Sequence, residues 1–152
     1  MRAEYINSFL ESATLVLEQL IQIRPLPGQH GLKELVLVDN YVWIQIGLKG
    51  QMNGDVMFGL HEQVALKLVS AMMGGFTITE LDEMGRSAIS ELGNMISGNA
   101  STLLYSQGLA VDITPPQIIG STSFAAWASR RALTVPLIME GIGEMDIQVV
   151  VA

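Results

Sequence analysis

Residues 79–105 read TELDEMGRSAISELGNMISGNASTLLY, and the fold follows from how apolar and polar residues separate along that stretch. At 3.6 residues per turn, Leu81, Ala88, Ile89, Leu92, Ile96, Ala100 and Leu103 gather on one arc, the packing face of a long amphipathic helix over about 79–105. Ser87, Glu91 and Asn94, separated by steps of four and three, share a strip about 60° wide on the other side. Glu80, Glu83 and Ser101 extend that strip. Thr79 with Asp82 three residues on is a capping-box pattern for the helix start, and Asp82 with Arg86 is an i,i+4 pair. Gly85, Gly93 and Gly98 each cost roughly 1 kcal/mol relative to Ala inside a helix, so a gain elsewhere is expected. Gly85 and Gly93 lie toward the packed side and would admit a neighbouring element. Gly98 lies on the Glu91 and Asn94 strip, where it either lets a partner surface approach or eases a bend.

Working outward, residues 4–22 carry Phe9, Ala13, Leu17 and Leu20 or Ile21 at helical spacing, and Pro25, Pro27 and Gly28 end that helix. An apolar run at 33–38 reads as a strand. A hairpin is expected from Tyr41–Gln51 and Asp55–Leu60, joined by Asn53 and Gly54 as the positive-φ turn. A helix at 62–73 stops at Gly74 and Gly75. After the long helix come strands at 109–113 and 117–120, separated by Pro115 and Pro116, which cannot donate ladder hydrogen bonds. A last hairpin, Leu133–Met139 and Asp146–Val151, turns at Gly141, Ile142 and Gly143. Helix, strand and hairpin thus occur twice, a weak internal repeat without a second copy of the 62–73 helix. The expected fold is α/β (α+β) in two layers, long helices on a largely antiparallel sheet, with residues 1–152 forming a single domain. Ile147–Val151, short, apolar and terminal, reads as an edge strand that needs covering.

The composition bounds the function. A hydrophobic fraction of 49% with 15% charged residues suggests a large core or apolar surface covered by a second copy. No apolar run approaches a membrane span, and Glu4, Asn7 and Ser8 interrupt any signal-peptide core, so a cytoplasmic protein is expected. Without cysteine there are no disulfides, thiol nucleophiles or cysteine metal ligands. A net charge of −7, with Arg130 and Arg131 the only adjacent basic pair, argues against nucleic acid and for a basic partner patch. The nine methionines, Met72, Met73, Met84 and Met95 among them, read as core filler.

A carboxylate beside a carboxamide on a rigid helix can orient and position, and it does not readily form a covalent intermediate. Glu91 and Asn94 also match an ordinary solvated helix face, and spacing alone leaves both readings open. A metal site is not expected: Glu80, Glu83 and Glu91 spread over three turns cannot converge on one ion, and His30 and His61 lie elsewhere. No nucleophile elbow or phosphate-cradling loop occurs. The Asn99–Ser101 sequon sits within the long helix and reads as accidental.

Ser87, Glu91 and Asn94 in this helix, followed about twenty residues later by Pro115 and Pro116, resemble the active-site signature of the CheC, CheX and FliY phosphatases of bacterial chemotaxis. The Ala65–Met73 helix, the Ser97–Ala100 run, the Thr114–Gly120 segment and the closing hairpin extend the resemblance to CheX-like proteins across nearly the whole chain. The resemblance implies a CheC-like fold and hydrolysis of the aspartyl phosphate of a CheY-like receiver domain. Asn94 would orient the attacking water and Glu91 would pair with a receiver lysine. Ser87, Gly98, Pro115 and Pro116 would belong to the partner-binding surface. It implies no cofactor on this chain, Mg2+ on the receiver, and a homodimer that joins sheets. Asn7 and Glu11 repeat the spacing on the first helix, but Thr14 stands where a second asparagine would, so one site per chain is expected. The alternative is a noncatalytic module of the same fold that binds a receiver or a flagellar-switch component.

Overall fold

The computed structural model describes residues 4–36, 38–119, 124–125, 127 and 129–151. Among the described residues three helices, α1 (Glu4–Ile21), α2 (Glu62–Met72) and α3 (Glu83–Ser106), accompany eight strands. These are β1 (Leu26–Pro27), β2 (Gly31–Glu34), β3 (Tyr41–Gly50), β4 (Gly54–His61), β5 (Val111–Ile113), β6 (Gln117–Ile119), β7 (Arg131–Met139) and β8 (Gly143–Val151). All pair antiparallel in one sheet, in the order β1–β7–β8–β4–β3–β5, with β2 also on β7 and β6 also on β3.

The pleat divides the sheet into two faces, as a period of two requires. Val42, Ile44, Ile46 and Leu48 of β3, Val56, Phe58 and Leu60 of β4, and Ile147 and Val149 of β8 meet the helices in the main core. α1 contributes Ile6, Phe9, Ala13 and Leu17 to it, and α3 contributes Ile89, Leu92, Ile96, Ala100 and Leu104. α1 and α3 also touch through small residues: Ser12 Oγ donates to the Ile96 carbonyl, and Gln107 Nε2 donates to Ser8 Oγ at 3.2 Å. On the opposite face Trp43, Met57, Ala132, Val150, Ile119 and Phe124 form a second, smaller cluster.

The internal repeat has a form that element order alone does not show. Each half supplies one hairpin, and the inner strands of the two, β4 and β8, join at the centre. The outer strand of each hairpin is then covered by a broken flank from the other half: β1 and β2 lie on β7, and β5 and β6 lie on β3. Both flanks break in the same way. From Pro27 to Gly31 the chain advances four positions while β7 moves three, from Leu137 to Thr134. From Ile113 to Gln117 it again advances four while β3 moves three, from Leu48 to Gln45. One extra residue per flank is a bulge, and the prolines of each flank, which lack an N–H, lie in or beside it.

Several expectations change here. β8 is no edge: it is hydrogen-bonded to β4 on one side and β7 on the other. An apolar strand buried between two neighbours has the same composition as an unprotected edge, and only non-local pairing tells them apart. The strand expected at 33–38 is β2, shifted back to Gly31–Glu34; Leu35, Val36 and Val38 follow it, while Leu37 and Gly120, each within an expected strand, lie outside the described residues. The first hairpin turns with its positive φ at Gly50 (115°), not at Asn53 or Gly54. There Asn53 bridges back, accepting from Gly50 N–H at 3.3 Å and donating to the Gly50 carbonyl at 3.1 Å. Gly74 and Gly75 end α2 as expected, with φ of 82° and 93°.

Beside the smaller cluster, with its ring 4.5 Å from that of His61 at the start of α2, Tyr41 donates its hydroxyl proton to Asp146 at 2.9 Å. Burial pushes the Tyr41 hydroxyl well above its usual value, and the Asp146 hydrogen bond and the charges of Asp146 and Glu144 push the same way. A raised folded-state value means that this neutral phenol supports folding below the unfolded tyrosine value of about 10. That support is lost as pH rises further. Tyr41→Phe should therefore flatten the fall in melting temperature above about pH 10, and parallel alkaline slopes for the two proteins would contradict it.

Candidate functional site

α3 begins three residues later than the capping-box pattern suggests. Asp82 is itself the N-cap, with extended backbone, and its carboxylate accepts from Gly85 N–H at 2.8 Å. Thr79 and Glu80 precede the helix, so Glu80 is not part of the strip, and the Asp82 carboxylate serves the helix end. A carboxylate there also meets the positive end of the helix dipole, as does Glu83 in the first turn.

The packed side of α3 fixes the exposed side. Gly93 is buried against the sheet: a Cβ at that position would stand 3.0 Å from Ile44 Cγ2, so the missing side chain lets the helix lie close to β3. Asn94, the next residue, is thereby turned outward. Ser87, Glu91 and Asn94 are all exposed, and among the described residues neither Glu91 nor Asn94 has a hydrogen-bond partner. Two polar groups on one convex helical strip, uncommitted to this chain, are free to enter a partner.

Gly98 is half-buried on the same strip, and a Cβ there would meet nothing within 4 Å. Among the described residues, no contact within this chain therefore requires a glycine at position 98. Ser101 leaves the strip: its Oγ donates to the Val111 carbonyl at 2.8 Å, tying α3 to β5. Pro115 is exposed and Pro116 half-buried at the break between β5 and β6. Just before them Thr114 closes the gap, its N–H donating to the Gly47 carbonyl at 3.0 Å and its Oγ1 accepting from Gly47 N–H at 2.7 Å.

The first helix offers a partial copy. Asn7, Glu11 and Thr14 line an open cleft of about 560 Å³ with Arg24, Pro25 and Pro27. Thr14 Oγ1 donates to the Leu10 carbonyl at 2.8 Å, so its hydroxyl is engaged within its own helix. No group of three or more His, Asp or Glu converges as a metal site among the described residues.

The methionines divide. Met52, Met57, Met139 and Met145 are buried, as core filler should be, whereas Met84 is 67% and Met95 37% exposed on α3. Sequence reasoning missed these two as surface groups, although the strip itself carried the signal: both fall within about 40° of Glu91 around the helix.

Residues 42–138 match the family described as chemotaxis phosphatase CheX. The chain is 31% identical over 137 residues to the CheY-P phosphatase CheX of Thermotoga maritima, covering 90% of this chain and 88% of that one. Its fold is similar to that of CheX in the solved CheX–CheY–BeF3–Mg2+ complex from Borrelia burgdorferi, with 26% identity, a TM-score of 0.81 and 99% of each chain covered. A CheC-like superfamily protein from Shewanella, 24% identical, shares the fold at a TM-score of 0.80, over 99% of this chain and 98% of that one. A match over residues 42–138, which takes in nearly all of the first hairpin and all of α3, joined to a relative of that identity aligned over 90% of this chain, makes this chain a member of the CheX chemotaxis phosphatase family.

Proposed function

We propose that the protein hydrolyses the aspartyl phosphate of a CheY-type receiver domain in the cytoplasm, with residues 1–152 acting as one domain. Asn94 orients the water and Glu91 docks on a receiver lysine. The observation that carries this reading is the pair of exposed, uncommitted side chains one turn apart on a rigid helix, in a chain of the CheX family. Ser87, Gly98, Pro115 and Pro116 border the strip as contact surface, and magnesium belongs to the receiver.

The chemistry asks little of the phosphatase. An acyl phosphate is already reactive, so holding a water in line and matching charge suffice. Asn94 Oδ1 accepts a hydrogen bond from the water, whose oxygen bonds to phosphorus as the phosphorus–carboxylate bond breaks. The receiver regains its aspartate, and inorganic phosphate takes up the water's oxygen. Glu91 fixes the register, because a carboxylate facing a lysine is favourable in only one placement of the two surfaces.

The same reading pairs two copies of the chain. With β8 internal, support for a joined sheet moves to the β1–β2 flank, where Leu26 and Leu32 are exposed beside an edge that, among the described residues, pairs only with β7. The test of function is phosphoreceiver decay with and without the protein. Substoichiometric protein should speed phosphate loss with multiple turnovers, and an unchanged decay rate for the cognate receivers would refute hydrolysis.

A further inference from the structure

We infer that Met84 and Met95 form an apolar border to the Glu91 and Asn94 pair and set affinity for the receiver domain; this rests on the function proposed above and specifies its docking surface. α3 rises 1.5 Å per residue, so Met84 stands about 10 Å before Glu91 along the axis and Met95 about 6 Å after it. Around the axis the two lie about 20° and 40° to one side of Glu91, while Asn94 lies about 60° to the other. Half-buried Ala88 lies between the two methionines along the axis and about 60° from Glu91 on the same side. The strip is thus apolar along one flank and polar along the other.

This placement is unlike the rest of α3. Ile89, Leu92, Ile96, Ala100 and Leu104 already fill the face toward the sheet, so Met84 and Met95 are not spill-over from the core. Met84, at 67% exposed, is among the most exposed large apolar side chains in the molecule. Since Glu91 and Asn94 lie beside them, a body that covers the pair must cover the methionines as well. The occupant is therefore the phosphorylated receiver.

Two consequences follow from covering them. Methionine is unbranched and adapts to an irregular surface, which suits docking on a separately folded domain. Apolar groups closed around a charge pair also exclude water from it, and the Glu91–lysine attraction strengthens when it is shielded. Neither methionine touches the phosphoryl group, so both should act on binding and not on the chemical step.

The test uses the full chain with Met84→Gln and Met95→Gln, singly and together. Gln keeps the length and helix propensity of Met and removes its apolar character. Calorimetry against a BeF3-activated, Mg2+-loaded CheY-type receiver reads docking without turnover. The double variant should bind roughly 10- to 100-fold more weakly, at about tenfold per methionine buried. In the decay assay KM should rise by the same factor with kcat within about twofold, the signature of uniform binding loss. Met84→Leu with Met95→Leu should restore wild-type affinity. A folded double Gln variant with unchanged Kd and KM overturns the border. If the wild-type protein binds the activated receiver without speeding decay, hydrolysis fails as the function, and the Kd comparison still decides the methionines. No binding by the wild-type protein overturns both.

Discussion

Asn94→Ala should cut receiver dephosphorylation by about 10² to 10³ in kcat, a loss of roughly 3 to 4 kcal/mol at the transition state. Receiver affinity and melting temperature should stay as they were. Asn94 is exposed and has no hydrogen-bond partner among the described residues, so removing its carboxamide leaves no buried group unsatisfied. Alanine is also the better helix former, and Gly93 next to it still holds the helix against Ile44. A fall in kcat with unchanged affinity is what loss of a group acting only in the transition state produces. Asn94→Asp should fare no better, because it brings a charge toward a phosphoryl group of the same sign. Full activity in Asn94→Ala would remove this residue from the chemistry.

Glu91→Lys should act on the other parameter. Placing a cation against a receiver lysine replaces an attraction with a repulsion, and losing a desolvated charge pair costs roughly 2 to 5 kcal/mol of binding. Affinity for an activated receiver should drop by at least about 30-fold, while the variant folds normally because Glu91 is exposed. Glu91→Gln, which removes the charge and keeps the shape, should fall between wild type and Lys. Unchanged affinity in Glu91→Lys would exclude Glu91 from the interface. The two substitutions lie three residues apart, so opposite kinetic signatures would separate docking from catalysis within one turn of α3.

The helices were legible in the sequence because their periodicity is local. α1 was expected at 4–22 and spans Glu4–Ile21; α2 was expected at 62–73 and spans Glu62–Met72. Ser87, Glu91, Asn94 and Gly98 keep the face that spacing assigned them. What misled was local chemistry with two solutions: Thr79 and Asp82 match a capping box, yet Asp82 caps alone, and Asn53 with Gly54 matches a tight turn, yet Gly50 takes the positive φ. The position of β8 was illegible for a different reason. Its neighbours β4 and β7 are chosen by register with residues far away in the chain, and no pattern within Gly143–Val151 encodes them. Met84 and Met95 carry two conflicting signals: their residue type points to the core, and their place on the helix points to the surface.

The crossed flanks decide when this protein can be finished during synthesis. Gly31–Glu34 finds its partners only at Arg131–Thr134, about a hundred residues later in the chain. A nascent chain that has released α1, the first hairpin and α2 still carries β1 and β2 with nothing to pair with, and β3 waits for Val111–Ile119. Most of the closure entropy is therefore met late, after the last hairpin leaves the ribosome. Cutting such a gene between its two halves would not yield two small domains; each product would lack the strand pair that only the other one makes.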